Sequence, residues 1–191
     1  MPSPRPAAAV FNAALERART QFRHLPDATG FIWTKKKLWV RQHQHTADWF
    51  TFTRMRSLGN SVHLRMQSGI RVLNSASNFL SAYGPDSHED FKIRPELRLH
   101  LRFNVVTDSM YERSIEDAGR FFQSVLEPWF QRFQDVSILL SSPDPDHTQP
   151  TGLELALHPS DKQALAHAIA HGPSAERVDV SLRLLGIKPT K

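Results

Sequence analysis

Residues 96–106 read Glu-Leu-Arg-Leu-His-Leu-Arg-Phe-Asn-Val-Val, so that Leu97, Leu99, Leu101, Phe103 and Val105 alternate with Arg98, His100, Arg102 and Asn104. Successive side chains of a strand point to opposite faces, and this period of two predicts a strand over Glu96–Val106. One face of it is buried and the other wet, as in an antiparallel sheet covered on one side. Residues 61–73, SVHLRMQSGIRVL, carry the same signal. Val62, Leu64, Met66, Ile70 and Val72 share one parity, and His63, Arg65, Gln67 and Arg71 the other. Gly69 inside this strand marks a bulge or a close backbone approach.

Two more strands precede these. Phe31–Gln42 is rich in β-formers around Lys35–Lys37, with Trp33, Trp39 and Val40 as packing residues. Trp49–Arg56 (WFTFTRMR) is the next, and Leu58–Gly59–Asn60 supplies the turn into residue 61. Asn74–Pro95 reads as a surface loop, with a short helical turn at Asn78–Tyr83.

Helices flank this block. Phe11, Leu15, Ala18, Phe22 and Leu25 recur at spacings of four and three, an apolar stripe on a helix from Ala7 to Leu25 that Pro26 and Gly30 end. A long helix begins at Ser109, which has capping-box spacing to Glu112. Its buried face is Ile115, Phe122, Leu126, Trp129 and Phe133, and Pro128 kinks it or starts a new turn. Ser141–Gly152 is a Pro-rich polar loop. After it, Ser160 caps a helix ending at Gly172–Pro173, and Ser174 opens another ending at Gly186. Leu165, Ile169, Val178, Leu182 and Leu185 are their apolar residues. Such a pair cannot bury its faces alone and must dock on the main body. Strands in series followed by helices predict an α+β fold. It consists of an antiparallel sheet of about four strands covered by an N-terminal helix and a long helix (residues 1–140). A Pro-rich loop (141–152) and a C-terminal helical hairpin (153–191) follow, the hairpin packing on the same domain.

The chain has 191 residues, 40% hydrophobic and 23% charged, enough to bury a core. It has no cysteine, which excludes a disulfide scaffold, thiolate-bound zinc and a thiol nucleophile. No apolar run reaches the ~20 residues of a membrane span, and no secretory signal opens the chain. A cytoplasmic protein without membrane contact is the expectation. There is no phosphate-binding glycine motif, no nucleophile elbow and no H-E-x-x-H. No catalytic residue, metal site or cofactor is assigned.

The net charge of +5 is unevenly spread: residues 1–102 carry +9, and residues 103–191 carry −4. A field of that kind attracts anionic partners. If the alternation holds, His63, Arg65 and Arg71 stand on one strand beside Arg98, His100 and Arg102 on another. Together they form a guanidinium-rich face suited to carboxylate or phosphate. The wet positions carry no aromatic residue for stacking bases, which weighs against nucleic acid. His43 and His45 share one side of a strand, and His167 and His171 one face of a helix. Neither pair has the full ligand set of a closed metal site. His88–Glu89–Asp90 groups acid–base residue types but reads as a solvated loop.

Residues 30–72 also carry a pattern. Gly30–Phe31, Lys35–Lys37, Leu38–Trp39 and Arg41 are followed by Thr51–Phe52, Arg56–Ser57, Val62, Leu64 and Gly69–Ile70. The pattern resembles a bacterial domain family of unknown function with a GFKKKG-type first strand and QRS- and FxNxG-type strands after it. Asp108 through Pro128–Trp129 is similar to that family's aspartate-led long helix, and the resemblance spans about residues 8–135. Trp39 stands where the family has Phe or Tyr, and Gln67–Ser68 where it has Asn and an apolar residue. The resemblance implies a bacterial α+β domain in the orbit of toxin–immunity or phage-defence systems, with no catalytic residues to carry over. The joint expectation is a non-enzymatic interaction protein, an immunity or accessory factor. It would bind an acidic partner protein through His63, Arg65, Arg71, Arg98, His100 and Arg102. The alternative is a nucleic-acid-binding module using the same face.

Overall fold

A computed structural model describes residues 8–55, 59–78, 80, 83–88, 98–141 and 157–188. The fold is α+β, as the patterning predicts. Six antiparallel strands form one sheet: β1 (Ile32–Trp33), β2 (Trp39–Gln42), β3 (Thr46–Met55), β4 (Ser61–Val72), β5 (Tyr83–Asp86) and β6 (Arg102–Asn104). The first four are neighbours in chain order. β3 and β4 pair over their length, from Thr46↔Val72 to Met55↔His63. With β3 on one edge of β4, both β5 and β6 lie along the other. β6 takes residues 61–63, and β5 takes Gln67 and Gly69.

Three expectations about strands change and one is met. Phe31–Gln42 is a hairpin, because the backbone turns at Lys35–Lys37, where Lys37 has a left-handed φ of 60°. The loop after Asn74 contains β5, whose Gly-Pro pair reads as a turn in sequence yet suits a short outer strand. The shift in β4 pairing between Gln67 and Gly69 is the irregularity that Gly69 foretells. The regular alternation at 96–106 yields only three strand residues within its described part, 98–106. Arg98 has a left-handed φ of 46°, and the His100 amide turns to Asp117. The burial parity survives: Leu101 and Phe103 are buried and Arg98 and Arg102 exposed.

One face of the sheet carries the larger core. Trp39, Phe50, Phe52, Val62, Leu64, Met66 and Ile70 meet Phe11, Ala18 and Phe22 of α1 (Ala8–Phe22). They also meet Ile115, Ala118 and Phe122 of the long helix. Trp39 stacks on Phe50 at 4.9 Å, and Phe22 stands edge-on to Trp39 at 5.6 Å. Such pairs add about 0.5–1.5 kcal/mol each beyond area burial. A short α2 (His24–Ala28) follows α1.

The long helix runs as α3 (Tyr111–Phe121), a π-helical turn (Phe122–Leu126) and α4 (Glu127–Arg132). The irregular turn precedes Pro128, which has no amide to give the Ser124 carbonyl. All five residues expected on its inner face are buried. The predicted cap is not made. Met110, with φ 68°, precedes the helix, and Glu112 instead accepts a bond from Gln21. α5 (Val136–Ser141) follows. The Pro-rich loop lies outside the described residues beyond Ser141.

The second face is not left to water along its whole length. α6 (Pro159–His171) and α7 (Ala175–Leu185) form the expected hairpin. The His158 side chain caps α6, accepting from the Ser160 amide, in place of Ser160 itself. Leu182 and Leu185 close over Leu38, Val40, Ala47 and Trp49, while Ile169 is exposed. Asn74 pins the hairpin, donating to the Ala164 carbonyl and accepting from the Ser174 amide. Among the described residues no helix is long and apolar enough to cross a membrane.

Arg71 lies under this hairpin, fully buried, and donates to Ser181 Oγ and to the carbonyls of Ser75 and Ser77. It is therefore corrected from a partner-facing residue to a core one. Arg71→Ala should cost at least ~3 kcal/mol in a urea melt, since it strands buried acceptors, whereas Arg98→Ala should stay within about 0.5 kcal/mol. Gly84 of β5 lies flat against the Trp129 indole, where a Cβ would meet ring carbons at 2.5 Å. Gly84→Ala should cost about 1–3 kcal/mol by overpacking, read by the same melt.

Candidate functional site

The site arises where β5 and β6 abut on the outer edge of β4. Neither strand covers residues 64–66 as a regular ladder. The Leu64 amide donates to the Leu101 carbonyl at 2.7 Å, just beyond the end of β6. The Met66 amide donates to Ser87 Oγ at 2.9 Å, just beyond the end of β5. Side-chain and loop acceptors thus replace strand carbonyls, and a cleft of about 300 Å³ opens between the two strand ends. Its lining is His63, Ser87, His88, Leu99, His100, Leu101 and Arg102.

Local structure aims each of these residues. His63 stands on β4 directly opposite Arg102 of β6. The His88 ring lies edge-on to His63, with centroids 6.2 Å apart. The His88 amide donates to Asp86 Oδ1, and Arg65 binds both oxygens of the same carboxylate, so one ion pair fixes the end of β5. The amide of His100 donates to Asp117 Oδ2 at 2.8 Å. Asp117 projects from α3 with a side chain only 1% exposed, and Arg113 and Arg120 each bond it at 2.9 Å. The long helix therefore holds the β6 segment in place through a buried carboxylate.

Two groups have shifted acidities. Burial is the largest influence on His63 and pushes its imidazole below the ordinary value, with His88, Arg102 and His100 adding to the effect. Burial alone would raise Asp117. The His100 amide and the two arginines outweigh it, and the carboxyl sits below the ordinary value of 3.8.

The six residues expected on a common basic face divide. His63, His100 and Arg102 line the cleft. Arg65 supports it through Asp86. Arg98 is exposed, off the strand and not in the lining. Arg71 is buried on the far half of the sheet. His88 and Ser87 were missed as site residues: His88 looked like part of a solvated acidic loop, and its neighbours Glu89 and Asp90 lie outside the described residues. No stretch of sequence signals that β5 would carry it to β4.

The other histidine pairs do other work. His43 bonds Asp48 at 2.8 Å, a carboxylate that Arg41 also binds while reaching Glu127 and lying over the Phe31 ring. This partly buried cluster, centred on the buried Asp48, ties β2 and β3 to α4. His167 and His171 lie side by side on the exposed face of α6. Among the described residues no group of three or more His, Asp or Glu is arranged to hold a metal ion.

What the cleft offers chemically is three imidazoles and one guanidinium around an apolar wall of Leu99 and Leu101. Among the described residues Asp86, next to Ser87, is the carboxylate nearest in sequence, and Arg65 binds it. Asp117→Asn should destabilise the protein by about 1–3 kcal/mol at neutral pH, by weakening charge-assisted bonds. The sign with pH follows from the lowered carboxyl. The native protein holds this stabilisation above the ordinary carboxylate value and loses it as pH falls through the depressed one. The gap between the two proteins should therefore close in acid, as read by urea melts at several pH values. No family model matches the chain, and neither does any curated protein or any solved structure.

Proposed function

We propose that this is a non-enzymatic interaction protein that receives an acidic group of a partner protein in the β5–β6 cleft. One observation carries this reading: His63, His88, His100 and Arg102 converge from three separate segments on a single small cavity at the sheet edge. A carboxylate there meets donors held by backbone pairing, which lowers the cost of ordering them. The open half of the second face, with Thr51, Thr53 and Gln67 partly exposed beside Arg65, extends the contact surface around the cleft. It carries no aromatic side chain among those described, which supports a protein partner over single-stranded nucleic acid. The cavity suits one inserted side chain more than a run of phosphates. An immunity or accessory role is the part of this reading that rests on the sequence resemblance of residues 8–135 alone, which no family model matches.

The test is a titration of the full chain with a defined acidic peptide containing apolar residues, and separately with mixed-sequence duplex DNA and RNA. The peptide should bind with a shallow salt dependence. Arg102→Glu should weaken it by about tenfold or more, a loss of ~1.4 kcal/mol or greater, while Arg98→Glu should change it by less than about twofold. Binding of duplex DNA with a log–log salt slope of about −0.9 per phosphate, and none of the peptide, would replace this reading with the nucleic-acid one.

A further inference from the structure

We propose, resting on the function above, that the group entering the cleft is a carboxylate on an apolar stem and that His63 takes up a proton as it enters. The first half follows from which donors are already used. Sites for phosphate draw on free backbone amides at a helix N-terminus or a nest of successive N–H groups. Here four amides around the cleft are engaged: Leu64 with Leu101, Met66 with Ser87, His88 with Asp86 and His100 with Asp117. Recognition of an anion then draws on side chains, and Arg102 is the one fixed cation among the described lining residues. Leu99 and Leu101 form the rest of the wall, and a cavity of about 300 Å³ is at the small end of ligand sites. A singly charged head with an apolar body fits that lining better than a dianion, which loses more hydration on entry.

The second half follows from what surrounds His63. Arg102 and His100 face it from the β6 segment, and His88 from beyond the end of β5. Arg65 and Asp86, paired with each other, flank it from β4 and β5, and the uncharged Met55 lies opposite on β3. Partial burial, with these neighbours adding to it, disfavours the charged ring and holds its pKa below the ordinary imidazole value. A carboxylate reverses the local field and favours the imidazolium, so the ligand and the proton bind together. By linkage, affinity rises as pH falls towards the free imidazole range.

The probe is hexanoate, with hexylammonium and inorganic phosphate as comparisons, titrated into the full chain while imidazole resonances are followed by NMR. Hexanoate should shift His63, His88 and His100 saturably, bind about tenfold tighter at about pH 5.5 than at about pH 7.5, and raise the His63 titration midpoint when bound. His63→Gln should lessen the pH dependence and keep residual binding, and a dependence unchanged by this substitution would also overturn the inference. Arg102→Gln should weaken binding at every pH, and hexylammonium should not bind. Equal hexanoate affinity at both pH values, or phosphate binding more tightly than hexanoate, would overturn this inference. The peptide result with Arg102→Glu would then still stand on its own as the test of the partner reading.

Discussion

The outer edge of β4 is the constraint on which the rest of the molecule turns. A central strand has two rows of amides and carbonyls to satisfy. β3 satisfies one row along the full ladder from Thr46↔Val72 to Met55↔His63. The other row has no single long partner. It is shared between β6 at 61–63 and β5 at 67–69, and the two strands must stop short of each other. Ser87 Oγ and the Leu101 carbonyl fill the interval. The cleft is the space this division leaves, and the histidines on it are there because both strands end at that point.

Buried charge then locks the layers in register. Arg71 under the hairpin, Arg41 with Asp48 and Glu127 beside α4, and Asp117 beneath β6 each join elements far apart in the chain. Buried ions of this kind add little net stability beyond an apolar replacement, yet removing one partner costs several kcal/mol. Their effect is to disfavour alternative packings. The aromatic cluster of Phe22, Phe31, Trp39, Phe50 and Phe122 supplies the bulk of the non-directional burial.

The candidate site was half legible in the residues. His63, His100 and Arg102 share a parity, and parity is what β-pairing preserves, so they do meet. Arg71 shares the parity of His63 and Arg65 but ends on the other side of a boundary that α7 draws across the same face. Alternation states which side of a strand a residue faces, and does not state whether a later segment covers that side. His88 was illegible for the complementary reason. Its short flanking strand contains Gly84 and Pro85, and its role depends on the Trp129 indole leaving room for a backbone without a Cβ.

Local pattern determined most of the helices, the β3–β4 pairing, the buried parity of Leu101 and Phe103 and the α+β class, because periods of 3.6 and 2 are set within a few residues of each position. It determined wrongly that the alternation at 96–106 would run as one continuous strand through its described part and that the sheet would have one covered face. Tertiary structure decided that the Lys35–Lys37 triplet turns the chain, that two short strands divide one edge, and that a helical hairpin seals Arg71 from water. Each of those outcomes is a competition for a limited number of hydrogen-bonding partners and for apolar surface. Its winner depends on residues a hundred positions away, as Arg71 with Ser181 and Asn74 with Ser174 show.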